Sequence, residues 1–180
     1  MELNDYQEQA LTTVATAGTN ETLKMASVGL LGELIEVSER VTAVVQEKKE
    51  VEGIIKEIGD VYWYLSIIAT HCGITFDVIV EDHSERLSGR HAVSIMYEMH
   101  TAFKNAKIVT EALKKYLWHG HAFPYRKTLI APMRAISNAL EIIATYYDSS
   151  LNEVLERNIA KLKERYPNGF DAKRSREREN

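Results

Sequence analysis

The sequence predicts an all-α protein built as a helical bundle. Apolar residues recur at spacings of three and four along most of the chain, which is the pattern of amphipathic helices, and no stretch alternates convincingly as a strand does. Only three prolines and nine glycines interrupt the chain, which favours long helices. An internal similarity between positions i and i+75 also predicts that the bundle contains two related halves.

Seven helices are predicted from the apolar stripes and from the signals at their ends. They cover approximately residues 3–14, 20–44, 51–72, 76–87, 91–118, 127–147 and 151–166. Thr19 or Asn20 can cap the second helix, and Gly73 provides a C-terminal stop for the third. Thr75 can cap the fourth helix, and Ser150–Glu153 has the sequence of a capping box at the start of the seventh.

The composition narrows the class of protein. A formal net charge of −4 argues against a general nucleic-acid binder, because phosphate backbones require a basic surface. The single cysteine, Cys72, cannot form an internal disulfide, which fits a reducing compartment. The N-terminus lacks the basic start and apolar run of a signal peptide, and the most apolar segment, Val61–Ala69, is far shorter than a membrane span. We therefore expect a cytoplasmic protein with no nucleic-acid or membrane partner.

The offset of 75 aligns Leu65–Thr70 with Leu140–Thr145, and these two segments differ at one position. About a third of the positions from Leu65 to Arg90 are identical at this offset, without a gap. An ancient duplication would account for these matches, although shared helical periodicity alone produces some of them. A duplication predicts a fused pseudo-dimer: a catalytic repeat at 1–90, a degenerate second repeat at 91–170 packed on it, and a polar, flexible tail at 171–180.

Two acidic pairs carry the candidate chemistry. Glu33 and Glu36 lie on the second helix, and Glu57 and Asp60 lie on the third. A spacing of three places both carboxylates of a pair on one helix face, and antiparallel packing through the Glu47–Glu50 turn would bring the pairs face to face. Four crowded carboxylates repel one another, and a hard divalent cation such as Mg²⁺ removes that cost. At the offset of 75, these acids meet Ile108, Glu111, Pro132 and Ala135 respectively, so the second repeat would be structural.

The acid pairs could instead be ordinary surface charge or belong to a different metal centre. Acid pairs three residues apart also occur on solvated helix faces, so spacing alone does not establish a metal site. However, these pairs adjoin the apolar stripes, and Gly29 and Gly32 lie nearby within a helix, where each costs roughly 1 kcal/mol relative to alanine. That cost suggests a close approach to the helix backbone. A di-iron carboxylate bundle is excluded because no glutamate has a histidine three residues later.

Three segments resemble a known family. Val28–Glu36 and Lys56–Leu65 resemble the two signature segments of the MazG-like all-α nucleoside triphosphate pyrophosphohydrolases, and Asn158–Phe170 resembles the closing segment of that family. The resemblance implies a four-helix core that uses Mg²⁺, or Mn²⁺ in its place, to split a triphosphate between its α and β phosphorus atoms. It also implies a homodimer or homotetramer. The implied metal ligands and catalytic residues are Glu33, Glu36, Glu57 and Asp60.

The implied phosphate contacts are ambiguous, because the closing segment is displaced along the chain by the same offset as the repeat. Lys161 and Arg165 match the family pattern, and Asn158 is a further candidate for substrate binding. The first copy has only a weakly similar segment, in which Arg86 and Arg90 hold the equivalent positions. Either set could serve a fused dimer. A second departure from the family is Ile35, which stands where close relatives often have a small residue.

Several other side chains could take part but have a simpler expected role. The nucleotide base would lie between helices, against Trp63, Tyr62 or the first helix, yet core packing is the expected role of these aromatics. His119 and His121 flank a glycine and lack further ligands nearby, so a loop is expected there. Asn20 could contact a base, but a helix cap is the simpler role. The basic end, 173–178, could close over phosphates or remain solvated.

Three functions stay open on the sequence. The first is a general nucleoside triphosphate pyrophosphohydrolase, a hydrolase of acid anhydrides that controls nucleotide pools. The second has the same chemistry restricted to one deoxynucleotide, such as dUTP, dCTP or dGTP, in the service of modified DNA. The third is a non-catalytic helical interaction module that has kept the motif by descent, which the intact acidic set disfavours.

Overall fold

The computed structural model describes residues 1–47, 50–81, 95–124 and 126–176, and over these residues the protein is all-α, as predicted. No strand is present in this part of the chain beyond an isolated bridge between Pro167 and Gly169. The described helices are α1 Leu3–Leu11, α2 Asn20–Glu47, α3 Glu52–His71, α4 Phe76–Ile79, α5 Ile95–His119, α6 Arg126–Tyr146, α7 Leu151–Arg165 and α8 Ala172–Arg176.

Several predicted helix ends are confirmed by their local chemistry. Thr19, rather than Asn20, caps α2, because its Oγ1 accepts a hydrogen bond from the backbone N–H of Thr22 at 3.2 Å. Gly73 follows α3 with φ +63°, a conformation that favours glycine. The capping box is present, with Ser150 and Glu153 each accepting from the backbone N–H of the other.

The fourth helix is much shorter than predicted. It ends at Ile79, and Val80 is already extended, with φ −119° and ψ 122°. The side chain of Thr75 does not cap it. Instead, the backbone N–H of Phe76 donates to Asn4 Oδ1 and Gln7 Oε1, both at 3.0 Å, so side chains of α1 cap this turn from across the fold. The remainder of the predicted helix, with Leu87, lies outside the described residues.

Two helical hairpins form the body of the protein. One consists of α2 and α3 and the other of α5 and α6, and they pack through contacts of α2 with α5 and of α3 with α6. Helix α7 then lies on α3, while α1 contacts α3, α4 and α7. The buried apolar side chains of both hairpins belong to one continuous core. Burial of these stripes stabilises the helices, since helices of this kind depend on tertiary packing.

The two hairpins correspond closely in position along the chain. An offset of 75 carries the range of α3, 52–71, to 127–146, which differs by one position from α6. The same offset carries the range of α2, 20–47, to 95–122, which contains the described range of α5, 95–119. At the contact between α3 and α6, the hydroxyl of Tyr62 donates to the carbonyl oxygen of Ser137 at 3.1 Å, and its oxygen lies 3.2 Å from Ser137 Oγ. These two residues are themselves related by the offset of 75.

The C-terminal segment contains a short helix that the sequence analysis did not predict. The carboxylate of Asp171 accepts from the backbone N–H groups of Lys173 and Arg174 at 2.7 and 3.2 Å, which satisfies the first turn of α8. Residues 177–180 lie outside the described part. None of the helices that the structure describes has the length and apolar character needed to cross a membrane.

Candidate metal and nucleotide site

Three of the four predicted carboxylates meet where α2 faces α3. One oxygen each from Glu33, Glu36 and Glu57 lies within 4.8 Å of the others. Glu36 is exposed, Glu33 is half-buried, and Glu57 is only 2% exposed. The spacing of three puts Glu33 and Glu36 on one face of α2, and the hairpin brings Glu57 opposite them.

Asp60, the fourth predicted ligand, is held by α7. Its carboxylate accepts a hydrogen bond from Asn158 Nδ2 at 2.9 Å and forms an ion pair with Lys161. These partners come from the closing segment, 98 and 101 positions further along the chain. The structure therefore brings Lys161 to the acidic site, but it places Asp60 beside the three-carboxylate cluster and outside it.

Glu57 is also balanced by positive charge. Its Oε1 lies 3.4 Å from Arg40 Nη2 and 3.5 Å from Lys56 Nζ. Burial of a carboxylate is costly unless it is paired, and these two cations reduce that cost. The acids of α3 thus have cationic partners in the structure.

The acids of α2 differ in this respect. Among the described residues, no lysine or arginine nitrogen lies within ion-pair distance of Glu33 or Glu36. Burial, followed by the negative charges of Asp60, Glu36 and Glu57, raises the pKa of Glu33 to about 7, and Lys161 opposes this only in part. On its α2 side, the cluster therefore has no ion-pair partner among the described residues, and all of its donors are oxygen atoms. This donor set fits a hard divalent cation, Mg²⁺ or Mn²⁺.

A cleft of about 360 Å³ contains all four predicted acids and extends from them to a group of aromatic side chains. Trp63, Tyr64, Tyr166 and Phe170 line it, together with Met25. The indole N–H of Trp63 donates to Thr13 Oγ1 at 2.9 Å, which fixes the ring against the end of α1. A planar base could stack in such a place, since aromatic faces bind bases of any sequence.

Tyr62 does not reach this cleft. It is fully buried and hydrogen-bonded to Ser137, so core packing is its role, as the sequence favoured. Trp63 is only partly buried and lines the cleft. The aromatics of α3 are thus divided between the core and the candidate site.

The two glycines of α2 differ in what surrounds them. At Gly29, an added Cβ would lie 2.2 Å from the Tyr64 ring, so the missing side chain lets this ring pack on the helix. The expected close approach at Gly32 is wrong, because nothing lies within 4 Å of a Cβ built there. A third glycine shows the same kind of approach: a Cβ at Gly59 would lie 2.9 Å from Asn158.

The predicted phosphate contacts separate into three groups. Arg165 lines the acidic cleft, and Lys161 contacts Asp60 at its edge. Asn158 is 3% exposed and does not line the cleft. Tyr6 Oη donates a hydrogen bond to its Oδ1 at 2.9 Å, which orients the amide so that its Nδ2 donates to Asp60. Arg86 and Arg90 lie outside the described residues.

Sequence reasoning missed several residues next to the site. Arg40 stands four residues after Glu36, on the same face of α2, so helical spacing could have identified it. Arg157 stands four residues before Lys161 and could have been found in the same way. Tyr6 gave no local signal, since its partner Asn158 is 152 residues away.

The lesser candidates do not form a site within the described ranges. His119 is the last residue of α5 and His121 follows in the loop, and the only described group of three or more potential ligands is the glutamate cluster. Asn20 Oδ1 accepts from the hydroxyl of Tyr116 at 3.2 Å. Ile35 is exposed on α2, away from the acids, in an apolar groove shared with Trp118.

Comparison of the chain with models of protein families, with curated proteins and with solved structures found no match in any of the three.

Proposed function

We propose that this protein is a Mg²⁺-dependent nucleoside triphosphate pyrophosphohydrolase. The observation that carries the proposal is the meeting of Glu33, Glu36 and Glu57, within 4.8 Å of one another, at one end of a cleft with aromatic walls. Carboxylates from two helices provide a hard-cation site, and the aromatics provide a place for a base. The resemblance of the three segments described above supports the same activity.

The proposed reaction adds water across the α–β anhydride, so that one nucleoside triphosphate and one water give a monophosphate, pyrophosphate and a proton. Bound Mg²⁺ would neutralise phosphate charge and lower the pKa of a coordinated water. The role of the chain is positioning and charge stabilisation, which is the main requirement of phosphoryl transfer. A carboxylate oxygen of the cluster that does not bind the ion is placed to accept the proton of the water.

The remaining polar groups hold this arrangement in place. Asn158 is oriented by Tyr6 and holds the Asp60 carboxylate, while Arg40 and Lys56 hold Glu57. Two of the four acids are therefore fixed before any ligand arrives. Such preorganisation reduces the reorganisation needed during the reaction.

We also propose that the chain is a fused pseudo-dimer. Support comes from the correspondence of α2 with α5 and of α3 with α6 at an offset of 75. The contact between Tyr62 and Ser137 is also what a two-fold axis would produce, because equivalent positions meet on such an axis. In this arrangement the second half supplies α7, with Lys161 and Arg165, to the acidic site of the first half.

The experiment is a screen of the eight common nucleoside triphosphates with the full chain, with Mg²⁺ and with excess chelator. We expect monophosphate and pyrophosphate from at least one nucleotide, complete loss of activity with chelator, and recovery on addition of Mg²⁺ or Mn²⁺. Activity on a single deoxynucleotide would favour the restricted enzyme over the general one. Orthophosphate as the first product, or no turnover of any nucleotide, would refute the proposal.

A further inference from the structure

A second cavity, of about 380 Å³, shares the lining residue Glu57 with the aromatic cleft. Its charged lining residues are Arg40, Lys56, Arg157, Lys161, Glu52 and Glu57. Four cations and two carboxylates give this lining a formal charge of +2. The aromatic cleft has the opposite balance, with four acids against two cations, for a formal charge of −2.

The two cavities meet along one wall. Lys56 and Glu57 line both of them, and Glu57 Oε1 lies 3.5 Å from Lys56 Nζ. Glu57 therefore adjoins a cavity lined by aromatic side chains and a cavity lined by arginines and lysines.

The basic cavity is built around the first turn of α3. An added Cβ at Gly53 would lie 3.1 Å from Arg40 Cδ, so glycine leaves room for the arginine to cross this turn. The N-terminal end of a long helix carries partial positive charge, which adds to that of the side chains. On the opposite wall, Arg157 Nη1 donates to Glu52 Oε2 at 2.6 Å, which links α7 to α3.

The cations of this cavity can bind an incoming anion. The side chains of Arg40, Lys56 and Arg157 are each about half exposed, and each is paired with a carboxylate at the cavity. The pair of Arg157 with Glu52 is exposed on both sides and contributes little to stability, so an incoming anion of higher charge can replace Glu52. Arg40 and Lys56 pair with the buried Glu57, but each has further N–H donors, so each can bind an anion while it still holds Glu57. Guanidinium groups bind phosphate oxygens through two parallel hydrogen bonds, which favours the replacement of Glu52.

We propose that this basic cavity, formed by Arg40, Lys56, Arg157 and Lys161, binds the β- and γ-phosphates of the substrate and holds pyrophosphate after cleavage. The α-phosphate then lies at the shared wall beside Glu57, and the nucleoside lies in the aromatic cleft. The direction of the substrate in the site follows from the opposite chemistry of the two cavities. This inference rests on the proposed function.

The test measures binding of two ligands to the full chain by calorimetry in the presence of Mg²⁺. The ligands are inorganic pyrophosphate and the nucleoside monophosphate that corresponds to the best substrate, or dAMP if no triphosphate is hydrolysed. Arg40→Gln and Arg157→Gln should each weaken pyrophosphate binding by tenfold or more, with less than a twofold change for the monophosphate. Lys163→Gln is the matched control, because Lys163 is exposed on α7 and lines neither cavity. It should change neither affinity.

Arg157→Lys, which keeps the charge but loses the fork of donors, should recover part of the lost pyrophosphate affinity. Unchanged pyrophosphate binding in both arginine variants would overturn the inference, and so would equal weakening of both ligands. The proposed function can fail separately. Arginine-dependent binding of pyrophosphate without hydrolysis of any triphosphate would refute the enzyme and leave the anion site standing, whereas turnover with unchanged pyrophosphate binding in the variants would refute the anion site alone.

Discussion

The hairpin of α2 and α3 and the hairpin of α5 and α6 have nearly the same helix positions, offset by 75, but different polar residues. In the first, Glu33, Glu36 and Glu57 converge beside a cleft. In the second, Ile108, Glu111 and Pro132 hold the corresponding positions. Pro132 lies buried inside α6, where a proline removes a backbone hydrogen-bond donor and can offer no ligand.

The comparison separates what the fold needs from what the chemistry needs. Both hairpins keep the apolar stripes that form the common core, because loss of these stripes would expose the interior. At the positions of the four acids, the second hairpin has a carboxylate only at Glu111. Clustered carboxylates repel one another, so the second hairpin avoids a cost in stability that the first one carries.

The largest effect is expected from removal of the second hairpin. A chain that ends at Arg90 lacks α5, α6 and α7, and so exposes the apolar face of α3 and removes Lys161 and Asn158 from Asp60. We expect this fragment to be insoluble or to self-associate, while the full chain melts in a single transition. Sedimentation and circular dichroism provide the measurement. A soluble, folded, fully active monomer would show that the second hairpin is an independent attachment.

Within the first hairpin, neutralising the acids of α3 should abolish turnover. Glu57→Gln or Asp60→Asn removes a carboxylate of the site, and we expect a loss greater than the roughly 10- to 100-fold that outer partners of a metal cost. Without metal, these variants should unfold near the temperature of the parent protein. Each loses stabilising ion pairs but is also relieved of repulsion between carboxylates, and the two effects oppose each other. Steady-state kinetics and thermal melting test this. Retained turnover, or a melting temperature far below the parent, would assign these acids a structural role.

The next effect is a change in stability and is expected from Glu33, which has no such ion pair with any residue that the structure describes. Its pKa in the folded protein is about 7, above the ordinary value near 4.5, so the folded state binds the proton more tightly than the unfolded chain. Without metal, stability should therefore rise as the pH falls from 8 towards 5. Glu33→Gln should stabilise the metal-free protein at pH 8 by about 1–2 kcal/mol after allowance for solvent screening, and should flatten the pH dependence.

Melting curves from pH 5 to 8 with chelator present provide this measurement. Glu39→Gln is a suitable control, because Glu39 is exposed on the same helix outside the cleft. If Glu33→Gln lowers the melting temperature at pH 8, the carboxylate is stabilised by its surroundings and the account of crowding fails.

The smallest effect is expected where the two hairpins meet at positions related by the offset. Tyr62→Phe removes the hydrogen bonds to Ser137 and leaves the ring, at a cost of about 1 kcal/mol. The melting temperature should fall by roughly 2–4 °C. Tyr146→Phe, at an exposed position, is the control and should have no effect. Equal melting temperatures for the two variants would show that the contact does not contribute to the joining of the hairpins.

The sequence predicted most of the fold because its determinants are local. Apolar periodicity located the long helices, and Gly73 and the Ser150–Glu153 capping box marked their ends. The cap at the start of helix α4 was assigned to Thr75, because the actual capping groups, Asn4 and Gln7, lie 72 and 69 positions away in the chain. Caps supplied from a distant helix leave no signal beside the turn that they serve.

The candidate site was predictable only where it depends on local spacing. The spacing of three, together with the resemblance to a known family, selected the acids of α2 and α3 as candidates. Neither predicted that Asp60 would be paired with Lys161, 101 residues later. The arginines of the basic cavity were missed, because Arg40 and Arg157 lie on different helices. They line one cavity only when α7 packs on α3. Long-range packing determines which charges meet.

The most direct test of the assignment of catalysis to the first hairpin compares two glutamates at corresponding positions. Glu36 and Glu111 are related by the offset of 75, and the side chain of Glu111 is about half exposed and paired with Lys114 at 2.6 Å. Turnover of the preferred triphosphate with saturating Mg²⁺ should be lost in Glu36→Gln and should change by less than twofold in Glu111→Gln. Equal activities in the two variants, or loss of turnover in Glu111→Gln alone, would contradict the account.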